Sequence, residues 1–283
     1  MANIDTVFTK REHLAVVYSG KQRKEYILER IYRNGHVLVK DLATEMAISE
    51  ATVRRDLKTM ADAQEVELIY GGATLKRHAD FSFRSKNIRN IEAKRKVGEL
   101  AVTLIHDGDQ IFLDSGTTTF QMAGLLKGKR SLSVIANSIR LAEELSQIPD
   151  VNFIMLGGQY RADRMDTIGP LAMEAMEQLR GYRAFIGADG VGMDFGLAAS
   201  DIESSHLYRL AVRHARETIL VLDHTKFESP SLYKIVGWDA ISTVVTDQMP
   251  TPEWQNFFKD KNVSLVTPEV TKENSEFRIQ NPE

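Results

Sequence analysis

The chain has 283 residues, 43% of them apolar and 27% charged, enough for two domains and a sizeable core. It has no cysteine, which excludes disulfide frameworks and thiolate metal sites; no stretch approaches the ~20 apolar residues of a spanning helix or the apolar core of a signal peptide, so the cytoplasm is the expected location. The net charge of −3 hides an asymmetry: residues 21–96 hold 17 Lys and Arg against 11 Asp and Glu, whereas residues 97–283 hold 17 against 26, the balance of a polyanion-binding module joined to something else.

Residues 1–20 show no period and read as an N-terminal extension. Across residues 22–33 the apolar Tyr26, Ile27, Ile31 and Tyr32 recur at helical spacing, and Gly35 breaks that helix. A short second helix follows over residues 39–46, with Leu42, Ala43 and Met46 turned inward. After the turn "AIS", Ser49 is placed to cap a third helix. "VELIYGGATL" reads as a hairpin around Gly71-Gly72. Three helices and a hairpin predict a winged helix-turn-helix over residues 21–77. The polar, basic residues 78–96 read as a linker running into a helix near Ile91.

From Asp109 onward, short apolar runs ("QIFLD", "LSVIA", "NFIML", "RAFIGAD", "TILVLD", "STVVTD", "VSLVT") alternate with helical segments at residues 119–126, 138–147, 169–179, 202–215 and 252–261. That alternation predicts a mostly parallel α/β domain over residues 97–268, covered on both faces. Residues 269–283 form a polar tail.

On the third helix, Val53, Leu57 and Met60 share one stripe, while Ala51, Arg54, Arg55 and Lys58 share the opposite one. Small Ala51 permits close approach, and guanidinium groups take guanine edges or phosphates. Ser49 and Thr52 stand at the helix start, where hydroxyls and unpaired N–H groups favour phosphate. These six residues are the expected DNA contacts. "LATEMAISEATVRRDLKTM", with "YGGATL" after it, resembles the N-terminal module of the DeoR family of bacterial sugar-metabolism regulators. The family usually carries a basic residue shortly before the Gly-Gly, where this chain has Glu67 and Leu68.

Open parallel sheets bind ligands at the carboxyl ends of their strands. "IFLD" places Ser115, Gly116, Thr117, Thr118 and Thr119 at such an end, an anion cradle of hydroxyls and backbone N–H groups. Other strand ends bring Asn137 and Ser138, Gly157 and Gly158 with Arg161 as a phosphate fork, Asp189 as a partner for sugar hydroxyls, and Asp223 with Lys226. "IFLDSGTTT", "ANS", "GADGV" and "LDHTKF" occur in the order seen in the DeoR family, whose C-terminal domain is similar to ribose-5-phosphate isomerase and glucosamine-6-phosphate deaminase folds and binds a phosphorylated sugar. The resemblance implies effector contacts by Asp223 and Lys226, and by Lys94 near the hinge, with Lys96 close by.

The expected function is therefore a DNA-binding transcriptional repressor of a sugar or polyol operon, a homodimer or homotetramer released by a phosphorylated sugar and needing no metal or other cofactor. The alternative is a sugar-phosphate isomerase or deaminase-like enzyme carrying a DNA-binding domain. It lacks an evident base: the deaminase-like segment has Val191 where a histidine would follow Asp-Gly.

Overall fold

This computed structural model describes residues 19–34, 36–63, 65–75, 83–229 and 231–269. The expected extension (all but its last two residues), the Gly35 helix break, the start of the expected linker and all but the first residue of the tail lie outside them. The chain divides between residues 80 and 81 into two compact units.

In the first unit, α1 (Gly20–Asn34), α2 (Val39–Glu45) and α3 (Glu50–Asp62) enclose a core of Ile27, Leu28, Ile31, Leu42, Met46, Val53, Leu57 and Met60. The four-and-three spacing of the α3 residues puts them on one stripe, and burial of that stripe orients the helix. Ser49 caps α3 by accepting the Thr52 N–H at 3.2 Å. The turn before it uses Ala47 at φ 52°. At the edge of the apolar stripe, and shielded, lies Asp56, which takes Arg23 of α1 in a two-point ion pair, Nε–Oδ2 2.6 Å and Nη2–Oδ1 3.2 Å.

The hairpin is β2 (Val66–Ile69) and β3 (Gly72–Leu75), turning at Tyr70 and at Gly71 with φ 73°. A third strand, β1 (His36–Leu38), pairs antiparallel with β3, giving the order β1-β3-β2. Gly72 is required there: a Cβ on it would stand 1.8 Å from the Val37 carbonyl oxygen.

The second unit begins with α4 (Phe83–Ile88) and α5 (Ile91–Thr103). Residues 83–96 are therefore not a linker; they are α4 and the start of α5, joined by a turn at residues 89–90 and packed through the buried Phe83, Ser85 and Lys94. All seven apolar runs become strands of one parallel sheet: β4 (Gln110–Leu113), β5 (Leu132–Ala136), β6 (Val151–Met155), β9 (Arg183–Ile186), β12 (Glu217–Val221), β14 (Thr243–Val245) and β15 (Ser264–Val266), in the order β15-β14-β12-β9-β4-β5-β6. Alternate residues feed opposite faces. Phe112, Ala184, Ile186 and Leu220 join a core with α8 (Pro170–Glu177), α9 (Ile202–His214) and α10 (Pro252–Asp260). Ile111, Leu113, Phe185, Ile219 and Val221 join another with α5, α6 (Thr117–Ala123) and α7 (Ile139–Leu145).

Two small antiparallel additions rise from this frame. One is the ribbon β7 (Gln159–Arg161) with β8 (Asp166–Ile168); the other joins β10 (Gly190–Gly192), β11 (Gly196–Ala199) and β13 (Tyr233–Lys234).

Candidate functional site

On α3, Ala51, Arg54, Arg55 and Lys58 are exposed on the side away from the core. Arg54 makes an exposed ion pair with Glu50, one turn earlier, at 2.6 Å. The Arg55 and Lys58 side chains form no hydrogen bond or ion pair among the described residues, so their charges face outward unspent. The Ser49 and Thr52 hydroxyls bond to each other at 2.9 Å, so both serve the cap. Because Asp56 is committed to Arg23, the acidic groups on the exposed side of α3 are Glu50 in its first turn and Asp62 at its end, with Arg54, Arg55 and Lys58 between them. At the hairpin tip Tyr70 is fully exposed, and Glu67 and Leu68 beside it are exposed too.

In the second unit the carboxyl ends of β12, β9, β4 and β5 lie side by side. Asp114, which ends the β4 run, is buried and holds the cradle in shape: it accepts the Gly116 N–H at 2.9 Å, the Gly187 N–H at 2.7 Å and the Thr119 hydroxyl. Burial pushes its carboxyl above the ordinary range, and these three donors oppose that shift. Thr117 and Thr118 stand at the start of α6, their hydroxyls without a hydrogen bond among the described residues. After β9, Asp189 accepts the Lys86 ammonium at 2.5 Å and the Ser200 N–H at 2.8 Å. Burial acts to raise its pKa, but Lys86 and Ser200 prevail and hold it well below the usual carboxylate range. After β12, one Asp223 oxygen accepts from Asn90 at 3.2 Å and from Thr225, while its other oxygen is buried without a hydrogen-bond partner among the described residues.

Lys226 follows in the helical turn His224–Glu228 and makes no ion pair among the described residues. Lys94, 3% exposed, donates to the carbonyls of Lys86 and Arg89, the latter at 2.6 Å. Burial lowers its pKa to about 7, against the pull of Asp223. The strand ends thus gather cations, free hydroxyls and carboxylates in one place.

Residues 23–78 match the model of the DeoR-like helix-turn-helix domain, and residues 89–248 match that of the DeoR C terminal sensor domain. The chain belongs to the DeoR family. This DeoR-family protein is a DNA-binding transcriptional regulator. It is 31% identical to the lactose phosphotransferase system repressor of Lactococcus lactis subsp. lactis over 82% of this chain and 93% of the relative. It is 28% identical to the HTH-type transcriptional repressor GlcR of Bacillus subtilis (strain 168) over 88% and 96%. Among solved structures, a D-ribose-5-phosphate isomerase in complex with phospho-erythronic acid aligns over 48% of this chain and 53% of its own at 19% identity, with a TM-score of 0.36.

Several residues expected in the effector site of this DeoR-family sensor serve other purposes. Arg161 is not an available fork. Its Nε and Nη2 grip Asp166 at 2.8 and 2.7 Å, its Nη1 reaches Asp201 at 2.8 Å and its Nη2 reaches Ser204 at 2.9 Å, tying β7 and β8 to the start of α9. The Ser115 hydroxyl is taken by Asp166 and Tyr208, both at 2.8 Å, and the Thr119 hydroxyl by Asp114 and the Gly116 carbonyl. Gly158 is a close-packing residue: a Cβ there would lie 2.5 Å from the Ile168 carbonyl oxygen. Gly116 is confined likewise, its Cβ position 2.8 Å from Asp114 Oδ1. Asn137 donates to the Thr167 carbonyl at 2.9 Å and keeps a buried Oδ1 with no hydrogen-bond partner among the described residues. Val191 is buried on β10 within the apolar core.

Sequence reasoning missed Asp114, Lys86, Asn90 and Arg164. Arg164 pairs with Asp201 at 2.6 Å and touches Ser200 at 3.3 Å. Asp114 alone carried a local signal, as the acid closing an apolar strand beside a small-residue loop.

Proposed function

We propose that this regulator represses a sugar or polyol catabolic operon and leaves its operator when a phosphorylated sugar binds the carboxyl edge of the sheet. The observation that carries this reading is the convergence there of Lys226, Thr117 and Thr118, whose ammonium and hydroxyls have no ion pair or hydrogen bond among the described residues, with the acceptor oxygens of Asp189, Asp223 and Asn137. A phosphate ester needs the cation and the hydroxyl and N–H donors. A polyol needs the acceptors, since its hydroxyls bring protons to donate. Gly116 and Lys94 shape and charge the surroundings. The names of the relatives, among them a repressor of a lactose phosphotransferase system, favour the same reading.

Exposed Arg54, Arg55 and Lys58 supply the groove and phosphate contacts, with Ala51 as the close-approach position and Ser49 and Thr52 capping the helix against the backbone. A cytoplasmic homodimer or homotetramer would place two such helices ~34 Å apart on repeated half-sites. A sugar phosphate that binds the weakly DNA-binding conformation a hundredfold better shifts the population by about 2.7 kcal/mol at saturation.

The test is operator release measured against a panel of sugar phosphates. Thr117→Val with Thr118→Val should leave operator binding intact and make release unresponsive. Normal release by the double variant would remove the cradle from the mechanism. Steady turnover of the sugar phosphate would favour the isomerase or deaminase-like reading instead.

A further inference from the structure

The end of the parallel sheet opposite the cradle carries a cavity of 530 Å³. Its wall comes from the last turns of α9, from Arg216, Glu217 and Thr218 where β12 begins, and from residues 236–242, which lead through the turn Trp238–Ala240 into β14. None of these residues belongs to the proposed effector site. The volume lies within the ~300–1,000 Å³ of small-molecule sites.

Three guanidinium groups line the cavity, those of Arg209, Arg213 and Arg216. Arg209 is fixed by the backbone: its Nε donates to the Ile235 carbonyl at 2.9 Å and its Nη2 to the Lys234 carbonyl. Those carbonyls orient the charge without neutralising it. The Arg213 side chain is exposed and has no hydrogen bond or ion pair among the described residues. Arg216 reaches Asp109 at 3.1 Å, but Asp109 also takes Arg183 at 3.2 Å, so one carboxylate serves two guanidiniums. The two acids on the wall are occupied as well, Glu217 by Arg183 at 2.6 Å and Asp239 by Lys261 at 3.2 Å.

With those partners included, five cations (Arg183, Arg209, Arg213, Arg216 and Lys261) stand against three carboxylates (Asp109, Glu217 and Asp239). This surplus is local, since acids outnumber bases 26 to 17 across residues 97–283. A positive cleft in an acidic unit draws an anion of matching charge. A phosphate monoester carries about −1.5 to −2 near neutral pH, and arginine forks take its oxygens in pairs. Val212, Val236 and Ile241 supply the apolar part of the lining. Inorganic phosphate would leave that part bare, whereas a ring-bearing body would cover it.

We infer that this cavity is a second ligand site, for a phosphate monoester with a flat ring body of mononucleotide size: the phosphate lies on Arg213 and Arg216, and the ring lies against Val212, Val236 and Ile241. The site is separate from the sugar-phosphate cradle and does not depend on it.

Calorimetry on the full chain tests this with the monophosphates of adenosine, guanosine, cytidine and uridine, each beside its nucleoside, and with inorganic phosphate and citrate. At least one mononucleotide should bind about tenfold or more tighter than its nucleoside, inorganic phosphate and citrate. Arg213→Glu should weaken that binding about tenfold or more, whereas Arg213→Lys should keep it within about fivefold. Arg216→Gln is a second, milder variant and should weaken it about threefold or more. Thermal unfolding of each variant confirms that it folds. Thr117→Val with Thr118→Val should leave mononucleotide binding unchanged, and Arg213→Glu should leave sugar-phosphate release of the operator unchanged, so the two sites fail separately. Binding of none of the mononucleotides, equal binding of citrate, full affinity in folded Arg213→Glu and Arg216→Gln, or loss of binding in the threonine variant would each overturn the inference and leave the sugar-phosphate reading standing.

Discussion

The Phe227 ring packs against Trp254, centroid to centroid 5.0 Å, and Phe227 belongs to the same helical turn as Lys226. The chain has two tryptophans, and they touch each other at 5.6 Å in a cluster with Phe257 and Phe258. A ligand that engages Lys226 therefore disturbs the turn resting on Trp254. Sugar-phosphate binding is expected to change intrinsic tryptophan emission. Trp254→Phe should abolish most of that change and Trp238→Phe should preserve most of it. A change that survives Trp254→Phe intact would separate the Lys226 turn from the ligand.

Glu50 sets a second expectation. It sits in the first turn of α3 and holds Arg54 at 2.6 Å on the exposed face. An exposed i, i+4 pair is worth only ~0.3–0.5 kcal/mol, so Arg54 can leave it for a guanine edge or a phosphate. Glu50→Gln should tighten operator binding several-fold, since a carboxylate is removed from the phosphate-facing side. Lys58→Ala should weaken specific and non-specific binding alike and reduce the slope of log affinity against log salt by about 1. Arg55→Ala should either do the same or, if it reads a base, cost ~1–3 kcal/mol for one sequence only. Binding titrations at several salt concentrations on operator and scrambled DNA separate these outcomes.

What the sequence disclosed depended on whether a residue's partner was local. The stripe Val53, Leu57 and Met60 is a property of one helix, and the seven apolar runs are each one strand, so both were legible. Lys86 was not, because its partner Asp189 is 103 residues further along the chain and its own surroundings read as a solvated basic run. Arg161 illustrates the opposite failure. A lone arginine after a strand looks available until the fold delivers Asp166, Asp201 and Ser204 to it. Ser115 and Thr119 failed in the same way: a hydroxyl-rich loop does not reveal which hydroxyls its own scaffold consumes. Strand β1 escaped because three residues are too few to show alternation.

Gly72 predicts a structural failure confined to the hairpin. Any Cβ there meets the Val37 carbonyl oxygen at 1.8 Å, and a backbone atom has no rotamer by which to yield. Gly72→Ala should therefore separate β1 from β3 and destabilise the first unit by about 2–4 kcal/mol. Gly71→Ala meets no atom within 4 Å but sits at φ 73°, so its cost should be smaller, ~1 kcal/mol. Denaturant unfolding of the two variants ranks them. Equal losses would mean that turn strain, not strand contact, dominates.

Asp56 predicts a stability loss without a loss of DNA-facing charge. Its two-point pair with Arg23 joins α1 to α3 and is largely shielded, the side chains 11% and 20% exposed. Asp56→Asn leaves the Arg23 guanidinium without its anion and should cost the first unit about 1–3 kcal/mol. Operator affinity, measured well below the melting temperature, should hold or rise, because net positive charge increases. A large affinity loss with unchanged stability would instead place Asp56 at the DNA.

Lys94 gives a pH dependence with a definite sign. Its ordinary pKa of 10.5 is lowered to about 7 in the folded chain, chiefly by burial. Between those values the unfolded chain holds the Lys94 proton and the folded chain has released it. Unfolding then takes up a proton, so this residue's contribution to stability increases as pH rises from about 7 toward about 10 and is least below 7. The limiting slope is about 1.4 kcal/mol per pH unit for one proton. Lys94→Met removes the titrating group, so the stability of wild type relative to that variant should climb with pH through this window. A phosphate dianion bound nearby favours the ammonium form. Sugar-phosphate binding above about pH 7 should therefore draw a proton from the buffer, and affinity should fall as pH rises further. Calorimetry in two buffers of different ionisation enthalpy counts that proton directly. No uptake in wild type, or the same uptake in Lys94→Met, would remove Lys94 from the linkage.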